Sequence, residues 1–140
     1  MKHKIEMSSG GIVFKKDGRE KLWLVTQHSQ NKNWGFPKGL IGDTIDGEKN
    51  DQAALREVRE EGGVTTRIVD DHPVSVSYTY QFEGTLVEKT VYYYLMEYLS
   101  GDPKDHDWEV SEAKFLPEGE VKKILTYQSD KEAFGKILLL

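Results

Sequence analysis

Gly42 to Val64, GDTIDGEKNDQAALREVREEGGV, is the stretch whose reading decides the fold. It carries Glu48, Glu57, Glu60, Glu61 and Arg56, with Asn50 or Asp51 as short polar N-cap candidates and Gly62-Gly63 as a stop. At about 100° per residue, Glu60 lies roughly 60° to one side of Glu57 and Glu61 roughly 40° to the other. Three acidic side chains therefore share one sector of a helix, where like charges repel by a few tenths of a kcal/mol per pair. A hard divalent cation, which prefers oxygen ligands, would relieve that repulsion. Ala54, Val58 and Leu55 form the apolar side, so the carboxylate face borders the buried face instead of opposing it. Ala53, small and among the carboxylates, lets a loop or substrate approach. Arg56 precedes Glu60 by four residues and is placed to hold that carboxylate.

The spacing is more specific than the helix. Gly42, five residues, Glu48, seven residues, then Arg56-Glu57-Val58-Arg59-Glu60-Glu61-Gly62-Gly63-Val64 matches every fixed position of the Nudix box. The chain resembles a Nudix hydrolase over nearly its whole length. One departure stands out: in many relatives the box glycine belongs to a Phe-Pro-Lys-Gly segment, here Phe36-Pro37-Lys38-Gly39. Eight residues separate Gly39 from Glu48, three more than the box has. Either Gly42 is the box glycine, or Gly39 is and the loop carries three extra residues near Gly42-Asp43-Thr44.

Length and composition set the bounds. A chain of 140 residues fits one domain, 1–140, with a sizeable core. With 37% hydrophobic and 31% charged residues it reads as an ordinary globular protein. The net charge of −5 argues against a general nucleic-acid binder, though not against a polyphosphate, because a divalent cation reverses the local sign. There is no cysteine, which excludes disulfides, thiolate nucleophiles and zinc–thiolate sites. No stretch resembles a signal peptide's apolar core or a membrane span, so a cytoplasmic enzyme without membrane contact is expected.

Along the chain, Met7 to Phe14 reads as a strand, Lys15 to Gly18 as a turn, and Leu22 to Gln27 as a strand buried on both faces. A polar loop with Trp34 leads to Phe36-Pro37, where the proline rules out a central ladder position. The helix runs from Asn50 or Asp51 to Glu61. Val74 to Phe82 alternates strictly and pairs across Glu83-Gly84 with Val87 to Leu99. Asp102 to Asp107 is an acidic loop, Ala113 to Leu116 a short strand, and Pro117 to Tyr127 and Asp130 to Leu139 are helices. Strands bracketing helices in this order suit an α/β fold, and the resemblance implies the Nudix-type α/β/α sandwich with a mixed β-sheet.

The resemblance also implies the site. Glu57, Glu60 and Glu61 stand where the family holds Mg²⁺ or Mn²⁺, with Arg56 as their orienter. One of the three, or a loop carboxylate, acts as general base. Glu48 is a further ligand or a helix-start anchor. Glu109, in Asp105-His106-Asp107-Trp108-Glu109-Val110, is similar to the loop residue that brings another carboxylate to the metal. Lys38, beside Gly39, looks like the phosphate-contacting lysine, and Lys89 is a second cation for a phosphate chain. Trp34, Tyr127 or a strand-end tyrosine is placed to stack on a base. His28, His72 and His106 are isolated and read as surface or structural residues.

The Pro-Lys-Gly segment, the Lys89 to Leu95 strand and the Asp105 to Val110 loop are similar to the diadenosine polyphosphate hydrolase branch. Hydrolysis of diadenosine tetra- to hexaphosphate is therefore expected. A MutT-like nucleoside triphosphate pyrophosphohydrolase, an RNA 5′-pyrophosphohydrolase, an ADP-ribose hydrolase and a non-catalytic nucleotide sensor are the alternatives. The expected partner is a small nucleotide, with an RNA 5′ end left open, and the expected state is a monomer or homodimer. A base-edge reader of the MutT kind would need an Asn or Asp in the pocket, and none stands out in the sequence.

Overall fold

The computed structural model describes residues 1–42 and 45–140. Two long strands form its spine. β1 (Lys2–Asp17) and β7 (Thr85–Gly101) run parallel, from Lys2 opposite Thr85 to Phe14 opposite Glu97. β2 (Glu20–His28) pairs antiparallel with the end of β1, and β8 (Val110–Pro117) with β2. β3 (Trp34–Gly35) adds to β2, while β4 (Lys38–Leu40) pairs with Ser8 to Gly10 of β1. β5 (Val64–Ile68) and β6 (Val74–Phe82) both pair antiparallel with β7. The sheet is mixed, as expected. Pro37 sits in the break between β3 and β4, where its missing N–H costs no ladder bond.

Strand alternation divides the core in two. Ile12, Phe14, Trp23, Val25, Val76, Val91 and Tyr93 face α2 (Glu118–Ile124) and α3 (Gln128–Leu138). Val13, Leu24, Tyr94 and Met96 face α1 (Asn50–Gly62), meeting Ala54 and Val58. The α/β/α sandwich follows from those two periodicities, and β2 is buried on both faces as its composition predicts. Phe36, 3% exposed, packs edge-on against Tyr93 and tilted on Phe134, with ring centroids 5.7 Å away in each case. Burying such a ring stabilises by about 1.5–3 kcal/mol and pins the β3–β4 connection that carries Trp34, Lys38 and Gly39.

The structure differs from the sequence expectations in several places. β1 begins at Lys2 and not Met7, because the charged segment Lys2 to Glu6 pairs its backbone with β7, and the Tyr80 hydroxyl donates to Glu6 Oε1 at 2.8 Å. β5 is absent from the sequence reading, although Val64, Thr66 and Ile68 alternate inward. The helix cap is Lys49 instead of Asn50 or Asp51; the Lys49 N–H donates to Gln52 Oε1 at 3.3 Å. Tyr80 and Phe82 share the face of Val76 but lie exposed near the tip of the β6–β7 hairpin. β8 extends through Pro117, and the 102–107 loop contains a 3₁₀ turn at Pro103–Asp105. No helix among the described residues is long and apolar enough to cross a membrane.

Candidate active site

The carboxylate face of α1 lies against β4, and Arg56 organises it. Its Nε and Nη2 donate to Glu48 Oε2 and Oε1 at 2.7 and 2.9 Å, a two-pronged contact. Its Nη1 donates to Glu57 Oε1 at 2.9 Å and to Glu60 Oε2 at 3.1 Å. The Glu48 carboxylate also accepts the Gly42 N–H at 3.3 Å. Hydrogen bonding to Arg56 holds the Glu48 carboxyl below its usual value, and Glu48 holds the guanidinium pKa above its own. Arg56 and Glu48 do not line the cleft; they stand behind the residues that do.

That cleft has a volume of about 860 Å³. Its lining brings together Glu57, Glu60, Glu61, Glu109, Lys38, Gly39, Lys89, Trp34 and Tyr127, all of them named from the sequence. Gly39 is where the strand presses on the helix: a Cβ there would overlap the Glu57 carboxylate. Ala53, at 0% exposure, is enclosed by the fold, so of the two approaches its size allows, substrate contact is excluded. The Lys38 N–H donates to Glu61 Oε1 at 3.2 Å, which joins the Pro-Lys-Gly segment to the helix despite the longer loop. Asp43 and Thr44, within that proposed three-residue extension, lie outside the described residues.

Burial pushes the Glu61 carboxyl up to about 8, and the negative charges of Glu57 and Glu109 add to the rise. Lys89 is half-buried, and burial followed by the charge of Lys38 lowers its pKa. Two lysines therefore face one space beside three crowded carboxylates. This donor set fits a divalent cation, whose charge would relieve the repulsion that raises Glu61.

Glu109 reaches the cleft from the loop that follows β7. The Asp107 N–H donates to the Glu60 carbonyl at 2.8 Å, and the Ser29 N–H to the Glu109 carbonyl at 2.9 Å. Gly63, with φ of 73°, caps α1 in a left-handed conformation, and a Cβ there would strike Asp102 and His106 of this loop. The loop is thus anchored on the end of the helix. Trp34 has Lys114 over its ring at 4.9 Å from the centroid, and the Tyr127 hydroxyl accepts from Asn33 Nδ2. His28 lines the cleft, whereas His72 sits with Asp70 and Asp71 in an exposed cluster outside it.

Sequence reading missed Asp130. It is 4% exposed, lines the cleft, and accepts the Tyr93 hydroxyl on Oδ1 at 2.8 Å. Burial raises its pKa, opposed by the charge of Lys38 and by the Tyr93 bond. From sequence it is an acid in the first turn of a helix, a place that complements the helix dipole without needing a site.

Gly39→Ala should lower kcat/KM at least about tenfold, roughly 1.4 kcal/mol, by displacing the Glu57 carboxylate. The fold should survive, since the group that must move is the far end of a flexible side chain. Kinetics beside a thermal melt would check this, and unchanged kinetics would mean that Glu57 need not sit where it does.

A family model for the NUDIX domain matches residues 5–136. The crystal structure of a C. elegans Ap4A hydrolase binary complex superposes with a TM-score of 0.75, at 26% identity, covering 96% of this chain and 98% of that one. A protein of Mycobacterium tuberculosis (strain CDC 1551 / Oshkosh) assigned as mutator protein MutT4 is 36% identical over 98 residues, 70% of this chain and 38% of its own. An RNA pyrophosphohydrolase of Caulobacter vibrioides (strain NA1000 / CB15N) is 42% identical over 59 residues, 41% of this chain and 31% of its own. The chain thus spans well under half the length of these two curated relatives. With Glu57, Glu60 and Glu61 of the box gathered on one cleft and the family model running almost from end to end, the chain belongs to the Nudix hydrolase family.

Proposed function

We propose that the protein hydrolyses a phosphoanhydride bond in a dinucleoside polyphosphate, diadenosine tetra- to hexaphosphate being the preferred class. The observation that carries this reading is the convergence of three box glutamates, Glu109, Lys38 and Lys89 on a cleft that also has aromatic walls. Glu57, Glu60 and Glu61, with Glu109 opposite, would hold Mg²⁺ or Mn²⁺. The chemistry supplied by that cation when bound is charge neutralisation and Lewis acidity at the phosphate oxygens.

The chain's own residues do the rest. Arg56 fixes the Glu57 and Glu60 carboxylates from behind, so their geometry is set before substrate arrives. Lys38 and Lys89 bind the phosphates beyond the cluster. One of the three glutamates, or Glu109 from the loop, would take up the proton of the attacking water. Trp34, Tyr78 or Tyr127 stacks on a base.

A panel of nucleotides with Mg²⁺, read by chromatography, tests the substrate. The dinucleotides should exceed any nucleoside triphosphate in kcat/KM by at least about tenfold, a gap of roughly 1.4 kcal/mol, and Lys38→Ala should narrow the gap. Triphosphates, ADP-ribose or a 5′-triphosphorylated RNA running ahead would transfer the assignment to another branch. Nucleotide binding without turnover would favour a sensor.

A further inference from the structure

Glu6 puts a carboxylate beside Lys89, a place where negative charge by itself works against binding a phosphate. On β1 it is the register partner of Lys89 on β7, which in turn stands opposite Tyr78 on β6. Tyr78, Tyr80 and Lys89 line the cleft, and Glu6 stands behind them with its side chain 12% exposed. Both of its oxygens are taken. Tyr80 reaches across β7 to donate its hydroxyl to Oε1 at 2.8 Å, and Lys4 Nζ lies 3.2 Å from Oε2. The Tyr80 bond holds the Glu6 carboxyl below its usual value, and the charges of Lys4 and Lys89 add to that. On Lys89 the forces oppose one another: burial and the charge of Lys38 work against its ammonium form, while Glu6 and Glu61 support it. A divalent cation at the glutamates would engage the charge of Glu61, leaving Glu6 as the counter-charge of Lys89.

We propose that Glu6 is a positioning residue for the phosphate chain: from behind the cleft wall it fixes the Tyr80 ring through its hydroxyl and balances the Lys89 ammonium, so that Lys89 meets the substrate charged. The inference rests on the proposed phosphate-binding role of Lys89. Glu6 acts through Lys89 and Tyr80 and does not itself touch the substrate.

Glu6→Gln keeps an oxygen that accepts the Tyr80 hydroxyl and loses the charge. Binding of a methylene-bridged diadenosine tetraphosphate to the full chain in Mg²⁺, measured by calorimetry, should weaken about fivefold in this variant. The direct field of the deleted carboxylate acts the other way and would tighten an anion, so the sign of the change separates the two effects. On the hydrolysable dinucleotide, KM should rise by the same factor while kcat stays within about twofold. Tyr80→Phe, which keeps the ring and frees Oε1, should weaken binding by about twofold. A guanidinium keeps its charge without a neighbouring carboxylate, so adding Glu6→Gln to Lys89→Arg should change affinity by less than about twofold. A merely structural brace would show the same loss in both backgrounds.

Unchanged or tighter binding in Glu6→Gln overturns the proposal, as does a loss that persists undiminished beside Lys89→Arg. Turnover of dinucleotides with that result would sink this inference alone. The predicted binding pattern without turnover would sink the proposed activity and leave this inference standing.

Discussion

Replacing Glu60 or Glu61 by glutamine should lower kcat at least about a hundredfold, close to 3 kcal/mol of barrier, while the protein stays folded. Each substitution keeps the shape and one acceptor oxygen, so Arg56 can still donate at position 60 and the Lys38 N–H at position 61. What is lost is charge. Burial and the charges of Glu57 and Glu109 already push the Glu61 carboxyl up to about 8, so a neutral amide there relieves repulsion in the metal-free chain. Stability should therefore hold or rise as activity collapses. Parental turnover in both variants would mean that the face is a solvated charge cluster.

Arg56→Ala should have the largest effect on folding. The Arg56 side chain is 10% exposed and its Glu48 partner 2%, and removing one member of a buried ion pair costs about 3 kcal/mol or more. Glu48, Glu57 and Glu60 would all lose that donor. For a chain of this size the melting temperature should fall by roughly 10 °C. Arg56→Lys should recover only part of this, since an ammonium cannot reproduce the two-pronged contact to Glu48. A melting temperature within a degree or two of the parent would contradict the place given to Arg56.

The parts legible in the sequence were those whose signal is local. The α1 carboxylates stand at helical spacing, and the β6–β7 hairpin alternates strictly around Glu83-Gly84. Both therefore emerged with nearly their observed bounds. Lys2 to Glu6 gave no such signal because its strand character comes from pairing with residues more than 80 positions away. β5 was missed for its brevity: five residues directly behind a helix stop, with threonines where larger apolar groups would have marked a strand. The helix cap went wrong because the backbone turns at Lys49, whose N–H is satisfied by Gln52 three positions on.

The site divides along the same line. The box glutamates follow from spacing, but that Glu57, Glu60 and Glu61 share a cleft with Lys38, Lys89 and Glu109 depends on β4, β7 and the 102–109 loop meeting at one end of α1. Asp130 could not be found by pattern, because its burial is set by Tyr93, 37 residues earlier, and by the bare backbone of Gly35. A glycine next to Trp34 and one of the four tyrosines of β7 were its traces, and neither singles it out.

The measurement that bears most directly on the account is incubation of the full chain with diadenosine tetraphosphate in Mg²⁺ or Mn²⁺, with and without a chelator, the products being resolved by chromatography. The account predicts cleavage to mononucleotides that the chelator abolishes and that Glu60→Gln lacks. Intact dinucleotide after prolonged incubation with either metal, or cleavage that the chelator leaves untouched, would contradict it.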